Sequence, residues 1–188
     1  TKLSQKTIEN SGLIFRIKEG PIDIYVDDEL TAGVGVRKDS DHCLFWGDWE
    51  DVEMPLDILP KDSIFVSACA PGIIHVLKQH FKLDGEWPCW HFLAPECYGP
   101  GEWDKLGPLK EEDVPFIAEY WMLGGDDREA HLRDRLRRFH SACIREEGMP
   151  VAWCGMHFEI DGVGNLGFAH TLEEHRRKGY AAELTKAL

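Results

Sequence analysis

The chain has 188 residues, 43% of them hydrophobic, and a formal net charge of −13 at pH 7. This length can bury a full core, so we expect a globular protein of one domain or two small ones. The acidic balance argues against nucleic acid as a partner, because phosphates would be repelled over most of the surface. We find neither an apolar run of membrane-spanning length nor a secretory segment, and therefore expect a cytoplasmic protein without a membrane partner.

The chain contains six cysteines, Cys43, Cys69, Cys89, Cys97, Cys143 and Cys154. None of them forms a C-x-x-C pair and several lie in apolar, strand-like runs, so we expect buried reduced thiols rather than a disulfide framework. Cys89, His91 and Cys97 could be drawn as zinc ligands. However, Cys89 and His91 share one face of a predicted strand and no second clustered pair accompanies them, so we expect no metal site.

The N-terminal half is predicted to consist mainly of strands, at residues 22–26, 31–36, 43–46, 63–68 and 90–93. The first two flank an acidic turn and should form a hairpin, and the fourth should be buried. Residues 47–60, which contain two prolines, predict an irregular or short helical crossing. Pro71 is well placed to begin a helix that runs to Lys82, with Ile73, Ile74, Leu77 and Phe81 on one face.

Residues 94–108 contain several glycine and proline breaks and predict a linker between two halves. The second half then predicts helices at 114–122 and 126–138, hairpin strands at 141–145 and 151–158, a strand at 166–169, and a last helix running to Leu188. The helix at 126–138 alternates acids with arginines, which is typical of a solvated face with ion pairs.

The two halves share a coarse order, in which a hairpin is followed by a third strand. In the first half that strand leads into residues 47–51, which are acidic, whereas the second leads into a basic turn. A pseudo-repeat of this kind would retain an anion site only in its second copy. We therefore divide the chain into a degenerate N-terminal half, residues 1–100, and a C-terminal half, residues 105–188.

The strongest motif lies at the predicted start of the last helix, where Arg176-x-x-Gly179-x-Ala181 includes three consecutive basic residues at 176–178. A helix start offers free backbone N–H groups and the positive end of the helix dipole. Basic side chains are unfavourable there unless an anion is bound, so the pattern predicts a site for a small polyanion such as a diphosphate. A solvated helix start is the alternative interpretation.

This motif resembles the Q/R-x-x-G-x-G/A signature of the GNAT superfamily of acyl-CoA-dependent N-acyltransferases. Residues 109–120 resemble the opening strand and first helix of that family, and residues 141–169 resemble its three-stranded meander. The hairpin at 148–153 is similar to the glycine N-acyltransferase-like branch. The resemblance implies an α/β protein of the α+β type, with a mixed sheet and a GNAT-like fold whose N-terminal half is a degenerate copy.

The resemblance also implies a coenzyme A site. Main-chain groups of Ala169, His170 and Thr171 would line the pantetheine arm and the thioester. The diphosphate would be bound by backbone N–H groups of a continuous segment, namely Arg177, Lys178, Gly179, Tyr180, Ala181 and Ala182. The side chains of Arg176, Arg177 and Lys178 would add positive charge. A side chain at position 179 would obstruct the approach of the backbone to the phosphates.

The implied activity is direct transfer of an acyl group, most simply acetyl from acetyl-CoA, to a primary amine of a small molecule or peptide. No metal is expected. In the family, the helix after the signature is followed by a strand, a helix carrying the usual general-acid tyrosine, and a closing hairpin. Since the chain stops at Leu188 within that first helix, we expect the natural chain to continue.

The catalytic groups are left open. His170 is a candidate general base, with a packed structural histidine as the alternative, and His157 and Glu159 could face the acceptor amine. Two other functions also stay open: a non-catalytic acyl-CoA-binding or interaction module, and a nucleotide-binding protein that uses the same helix start.

Overall fold

The computed structural model describes residues 7–29, 31–38, 41–47, 49, 56–67, 71–85, 106–121 and 127–188. The chain forms two compact units, Thr1–His91 and Phe92–Leu188. Each unit has its own sheet, with four strands in the first unit and five in the second. Helices accompany both sheets, which confirms the expected α/β class. In the described part of the chain, no helix combines the length and the apolar character needed to cross a membrane.

The first unit contains, in chain order, α1 (Thr7–Glu19), β1 (Ile22–Val26), β2 (Ala32–Arg37), β3 (His42–Gly47), β4 (Phe65–Ser67) and α2 (Pro71–His80). Strands β1, β2 and β3 form an antiparallel meander, and β4 pairs with β3 in parallel. The β1–β2 turn closes because the Asp27 carboxylate accepts hydrogen bonds from the amides of Thr31 and Ala32, at 2.7 and 2.9 Å. The predicted hairpin is thus confirmed, with the turn chemistry expected of aspartate.

Helix α2 covers the first sheet with the face predicted from its spacing. Ile73 and Leu77 are almost fully buried and pack in the same cluster as Val34 and Phe45 of the meander. The helix ends at His80 rather than at the expected Lys82.

The buried strand expected at 63–68 is wrong in its length and in its burial. Strand β4 covers three residues, and the side chain of Phe65 is 44% exposed. Its ring packs edge-on against the ring of His42, with centroids 5.2 Å apart, instead of entering the core. Such a short strand is held mainly by its parallel ladder to β3.

The second unit contains β5 (Leu106–Gly107), α3 (Val114–Glu119), α4 (Arg128–Arg138), β6 (Ser141–Glu146), β7 (Met149–Ile160), β8 (Val163–Leu166), β9 (His170–Thr171) and α5 (Tyr180–Ala187). The sheet order is β5-β6-β7-β8, all antiparallel, and β9 also pairs with β7. The β6–β7 and β7–β8 turns each carry two successive residues with positive φ, namely Glu147 and Gly148, then Asp161 and Gly162. This is the geometry that joins two-residue hairpins, as the sequence predicted.

The expected linker at 94–108 is wrong at its end, because Leu106 and Gly107 form β5. They pair with Ile144 and Cys143 of β6 and so belong to the second sheet. The remainder of the linker, the strand expected at 90–93 and the three candidate zinc ligands lie outside the described residues.

The strand expected at 166–169 is also wrong. Strand β8 ends at Leu166, and residues 167–169 leave the ladder before β9 begins. The amide of Gly167 donates to the carbonyl of Gly155 at 2.8 Å, and Phe168 is buried against Gly155. A Cβ atom on Gly155 would lie 2.1 Å from the Phe168 ring, so only glycine leaves room for this ring.

An irregularity in β7 accompanies the break. The β7–β8 register shifts between Met156 and Phe158, as at a β-bulge. After the interruption, β9 pairs with an earlier part of β7, where His170 lies opposite Trp153. Bulges of this kind redirect side chains beside functional sites.

Alternating side chains give the second sheet two buried faces. On one face, Cys143 and Trp153 pack with α3 and α4. On the other, Ile144, Ala152 and Cys154 pack with α5. The last helix packs against the second of these faces, and a cavity beside that helix is lined by a residue of each face, Trp153 and Cys154.

The ion pairs expected on α4 are present, since Arg133 contacts both Glu129 and Glu111 at 2.7 Å. The helix is not solvated throughout, however. Arg135 is 7% exposed and donates to the carbonyl of His157 at 2.9 Å. Its guanidinium thus satisfies a strand carbonyl that the bulge leaves near α4.

A buried ion pair fastens the start of α3 to β6. The guanidinium of Arg145 binds both carboxylate oxygens of Asp113, whose residue is 5% exposed. Burial opposes ionisation of Asp113, but the bonds from Arg145 and from the Lys110 amide outweigh it and lower the pKa of the carboxyl. The carboxyl is therefore charged at neutral pH.

Three of the six cysteines are described, and all three are free and buried, as predicted: Cys43, Cys143 and Cys154. Burial raises the pKa of each thiol to about 11. These thiols are consequently protonated at neutral pH and have little nucleophilic character.

Candidate functional site

A cavity of about 190 Å³ lies between the second sheet and α5. Its sheet side is formed by Trp153 and Cys154 of β7 and by residues 169–171 at the end of the meander. Its helix side is formed by Ala181, Leu184 and Thr185. Four of the residues predicted from sequence are therefore brought together here: Ala169, His170, Thr171 and Ala181.

Sequence reasoning missed the other four lining residues. The two on α5 stand three and four positions after Ala181, and that spacing, visible in the sequence, places them on one helical face. Trp153 and Cys154 had no such signal. They reach the cavity because β9 pairs with β7, and this register follows from the break in the third strand.

The basic turn adopts a conformation that requires glycine. After a single 3₁₀ turn at Glu173–His175, Arg177 has a φ of 61° and Gly179, the N-cap of α5, has a φ of 82°. Glycine adopts this left-handed region without cost, whereas Arg177 is strained there by about 1 kcal/mol. A Cβ atom on Gly179 would meet nothing within 4 Å, so the space in front of the helix start is open.

The three basic side chains of the turn differ in their contacts. The Nε of Arg176 donates to the carbonyl of Thr171 at 3.2 Å. The Nζ of Lys178 lies 3.8 Å from a carboxylate oxygen of Glu146. Arg177 is exposed and forms no hydrogen bond or ion pair with any residue that the structure describes. Arg177 is thus the side chain best placed to meet an anion from solvent.

Glu146, at the end of β6, connects the hairpin to the start of α5. Its carboxylate accepts a hydrogen bond from the hydroxyl of Tyr180 at 2.5 Å and lies 3.5 Å from the Nδ1 of His175. The bond to Glu146 raises the pKa of Tyr180. Glu146 carried no signal in the sequence, because this contact depends on how α5 packs on the sheet.

The remaining predicted site residues lie around the first turn of α5. The Tyr180 side chain is buried towards Glu146, so only its backbone is available to a ligand, while Ala182 is exposed. As in any α-helix, the first amides, such as those of Ala181 and Ala182, have no acceptor within the helix. They lie next to the open space at Gly179.

His170 is half-buried on the wall of the cavity. Its ring stacks on Trp153, with centroids 5.1 Å apart, and lies 4.8 Å from the ring of Tyr120. Burial, and then the nearby charge of Arg176, lowers the pKa of His170 below the usual value of 6.5. The imidazole is therefore neutral at pH 7.

The two other candidates for contact with an acceptor do not line the cavity. Glu159 accepts a hydrogen bond from the amide of His140 and faces its Nδ1 at 2.7 Å. His157 packs its ring against Trp121, 5.3 Å away. Within the described ranges, no cluster of three or more His, Cys, Asp or Glu side chains could hold a metal ion.

No family model matches the chain. It is 29% identical over 85 residues to a glycine N-acyltransferase-like protein of Mus musculus, a match that covers 44% of this chain and 27% of the mouse protein. It is 27% identical over 77 residues to a glycine N-acyltransferase of Rattus norvegicus, covering 40% of this chain and 25% of the rat protein. The match thus spans about a quarter of each relative's length.

A GCN5-related N-acetyltransferase from Kribbella flavida superposes with a TM-score of 0.62 at 17% identity, over 95% of this chain and 77% of that chain. The protein has the GNAT fold. This confirms the resemblance drawn from the sequence. Within this GNAT fold, the third strand of the meander ends in Ala169–Thr171 and the signature turn leads directly into α5.

Proposed function

We propose that the protein is an acyltransferase that moves an acyl group from coenzyme A to a primary amine. The observation that carries this proposal is the cavity between β9 and α5. The segment that joins these two elements is the basic turn, with Gly179 at the start of the helix. Acetyl is the simplest donor group. Because the rat relative is named a glycine N-acyltransferase and the mouse relative a glycine N-acyltransferase-like protein, glycine is the first acceptor to test.

The donor would lie along β9 and the start of α5. Backbone N–H groups from Arg177 to Ala182 would bind the diphosphate, aided by the positive end of the helix dipole and the exposed charge of Arg177. Main-chain groups of residues 169–171 would line the pantetheine arm and place the thioester in the cavity. The open space in front of Gly179 supports this path.

The buried thiol in the cavity favours direct transfer over an acyl-enzyme. Cys154 lines the cavity, but it is 3% exposed and burial raises its pKa to about 11. A protonated thiol is a poor nucleophile. We therefore propose that the neutral amine attacks the thioester carbonyl directly and that the carbon–sulfur bond then breaks to release coenzyme A.

Coenzyme A binding tests the site with a matched pair of variants. Gly179 and Gly162 both have a φ near 80°, and a Cβ atom on either meets nothing within 4 Å. Gly179→Trp should weaken coenzyme A binding at least a hundredfold in calorimetry, whereas Gly162→Trp, in the β7–β8 turn, should leave it unchanged. Equal affinity in the two folded variants would contradict the diphosphate site.

Turnover distinguishes the competing functions. The protein is incubated with acetyl-CoA and glycine, followed by a panel of other primary amines, and free coenzyme A is quantified by chromatography. Release that depends on the amine supports the transferase. Coenzyme A binding without release would favour a non-catalytic acyl-CoA-binding module, and tighter binding of ATP than of coenzyme A would favour a nucleotide-binding protein.

A further inference from the structure

His170 is one of the residues that line the cavity. Neither of its ring nitrogens forms a hydrogen bond with any residue in the described part of the chain. Among the described residues, the ring contacts Trp153 on one side and Tyr120 beside it. Polar groups in protein interiors are normally hydrogen-bonded, so an imidazole that is oriented and yet free to accept a proton suggests a role towards a ligand.

Two other histidines of the same unit have polar partners for their ring nitrogens. His140 contacts Glu159 at 2.7 Å, and His175 lies 3.3 Å from Lys178 and 3.5 Å from Glu146. Neither of them lines the cavity. His170 differs from both, because it lines the cavity and has no such partner among the residues that the structure describes.

We infer that His170 is the general base of the acyl transfer, an assignment that rests on the proposed function. The imidazole accepts a proton from the bound ammonium group, and the resulting amine attacks the thioester carbonyl carbon. The carbon–sulfur bond breaks, the sulfur takes the second amine proton to give coenzyme A, and the imidazolium returns its proton to solvent. One amide and one thiol are formed, without a further reactant.

The surroundings of His170 suit this role. Among the described residues, Arg176 of the turn supplies the charge that acts on His170, the Tyr120 phenol ring lies against its imidazole, and the Cys154 thiol, which is protonated, lines the cavity. The cavity residues of α5 are uncharged. Because burial and the charge of Arg176 lower the pKa of His170, the imidazole stays able to accept a proton below the usual histidine range.

The test compares His170→Gln with His140→Gln, a substitution of the exposed histidine that lies away from the cavity. We expect His170→Gln to lower kcat/KM for acetyl-CoA and glycine, or the best amine of the panel, by about 10²- to 10⁴-fold. It should also remove the acidic limb of the pH–rate profile while leaving coenzyme A affinity within about twofold. His140→Gln should match the parent protein. Free imidazole should partly restore the activity of His170→Ala, a rescue that a structural role would not produce.

The outcomes separate this inference from the proposed function. If the parent protein binds coenzyme A and turns over, and His170→Gln retains both its rate and its acidic limb, the base assignment is overturned and the transferase stands. Failure of the parent protein to bind coenzyme A would overturn both. Binding without turnover overturns the base assignment and favours the binding module. Should His170→Gln lose coenzyme A binding as well, His170→Ala without imidazole rescue would assign the residue a structural role instead.

Discussion

The third strands of the two meanders differ. The one in the first unit is continuous, whereas the one in the second unit is interrupted beside the candidate site. Strand β3 is continuous from His42 to Gly47 and pairs on both sides, with β2 and with β4. In the second unit the equivalent strand is interrupted at residues 167–169 and resumes as β9. The β2–β3 ladder is unbroken from Cys43 to Gly47, whereas residues 167–169 lie outside the paired registers of β8 and β9, and Ala169 lines the cavity.

Both meanders use a glycine on the middle strand to accept an aromatic ring from the third. A Cβ atom on Gly33 would lie 2.2 Å from the Trp46 ring, just as one on Gly155 would lie 2.1 Å from Phe168. Trp46 is paired within the continuous strand, but Phe168 lies in the interruption. Both meanders therefore share the contact between a glycine and an aromatic ring. They differ in the register shift of β7, which lies beside the interrupted third strand of the second unit.

The largest effect is expected from the ion pair that fastens α3 to the second meander. Asp113→Asn should lower the free energy of unfolding by about 3 kcal/mol, because it removes the buried carboxylate and leaves the half-buried Arg145 guanidinium without its charged partner. The pKa of Asp113 is lowered in the folded protein, so the pair stabilises above the ordinary carboxyl value of 3.8. Its contribution is lost as the pH falls below that value. Urea unfolding as a function of pH measures both.

The control is an exposed pair on the first meander, Asp23 with Lys38, whose side chains are 47% and 55% exposed. Asp23→Asn should leave the unfolding midpoint nearly unchanged, since exposed pairs contribute little. Equal losses in the two variants would mean that burial does not distinguish the pairs.

The next effect concerns the two glycines. Gly155→Val and Gly33→Val should each destabilise the protein by about 1–3 kcal/mol through overpacking. Only Gly155→Val should also weaken coenzyme A binding, by at least tenfold, because it displaces Phe168 and with it the adjoining residues 169–171. Calorimetry on both variants measures the difference. Unchanged affinity in Gly155→Val would show that the interruption does not shape the site.

A smaller, pH-dependent effect is expected in the first unit. Burial, followed by the charges of Arg16 and Arg37, lowers the pKa of His42 to about 4, against the opposing effect of Asp41. The unfolded chain therefore binds more protons than the folded one between pH 6.5 and pH 4. The stability that depends on neutral His42 is present above pH 6.5 and is lost as the pH falls towards 4.

Urea unfolding at pH 7 and pH 4.5 tests this expectation. His42→Phe should flatten the dependence, while His80→Gln, a substitution of the exposed histidine at the end of α2, should leave it unaltered. The same pH dependence in His42→Phe as in the parent protein would assign the effect to other groups.

The smallest effect concerns the contact between Glu146 and Tyr180. Tyr180→Phe removes the hydrogen bond that secures the start of α5 and should weaken coenzyme A binding about three- to tenfold. Glu146→Gln keeps an acceptor for Tyr180 but frees Lys178 from its acidic neighbour, so affinity should rise slightly at low salt. A fall in both variants would show that the Glu146 charge itself organises the turn.

Local features of the fold could be predicted from the sequence. Both hairpins followed from alternating apolar residues around acidic or glycine-containing turns, and Asp27 closes the first as expected. Helix α2 followed from Pro71 and the spacing of Ile73 and Leu77. The signature turn was recognised from the pattern Arg176-x-x-Gly179-x-Ala181. In the structure, Gly179 occupies a backbone conformation that few other residues tolerate.

Features that depend on contacts between distant residues could not be predicted. Strand β5 lies in a segment whose glycine and proline resembled a linker, and only its pairing with β6 makes it a strand. Arg135 looked like one more solvated charge until α4 placed it against the carbonyl of His157. Residues 166–169 look like a continuous apolar strand in the sequence. The interruption at 167–169 depends on Gly155, which leaves room for Phe168 and lies twelve residues upstream of Gly167, so no local pattern reveals it.

The sequence by itself determined most of the described strands and helices, where the hairpins turn, and that a basic turn containing Gly179 begins the last helix. Turn chemistry, side-chain periodicity and glycine's conformational freedom are local properties, so they can be recognised along the chain. Only the tertiary structure decided that the third strand breaks, that β9 and α5 line a cavity, and that His170 lies on its wall without a hydrogen-bond partner in the described part of the chain. These three features depend on which residues meet across the sheet, and the β7–β8 register shifts between Met156 and Phe158, next to the interruption.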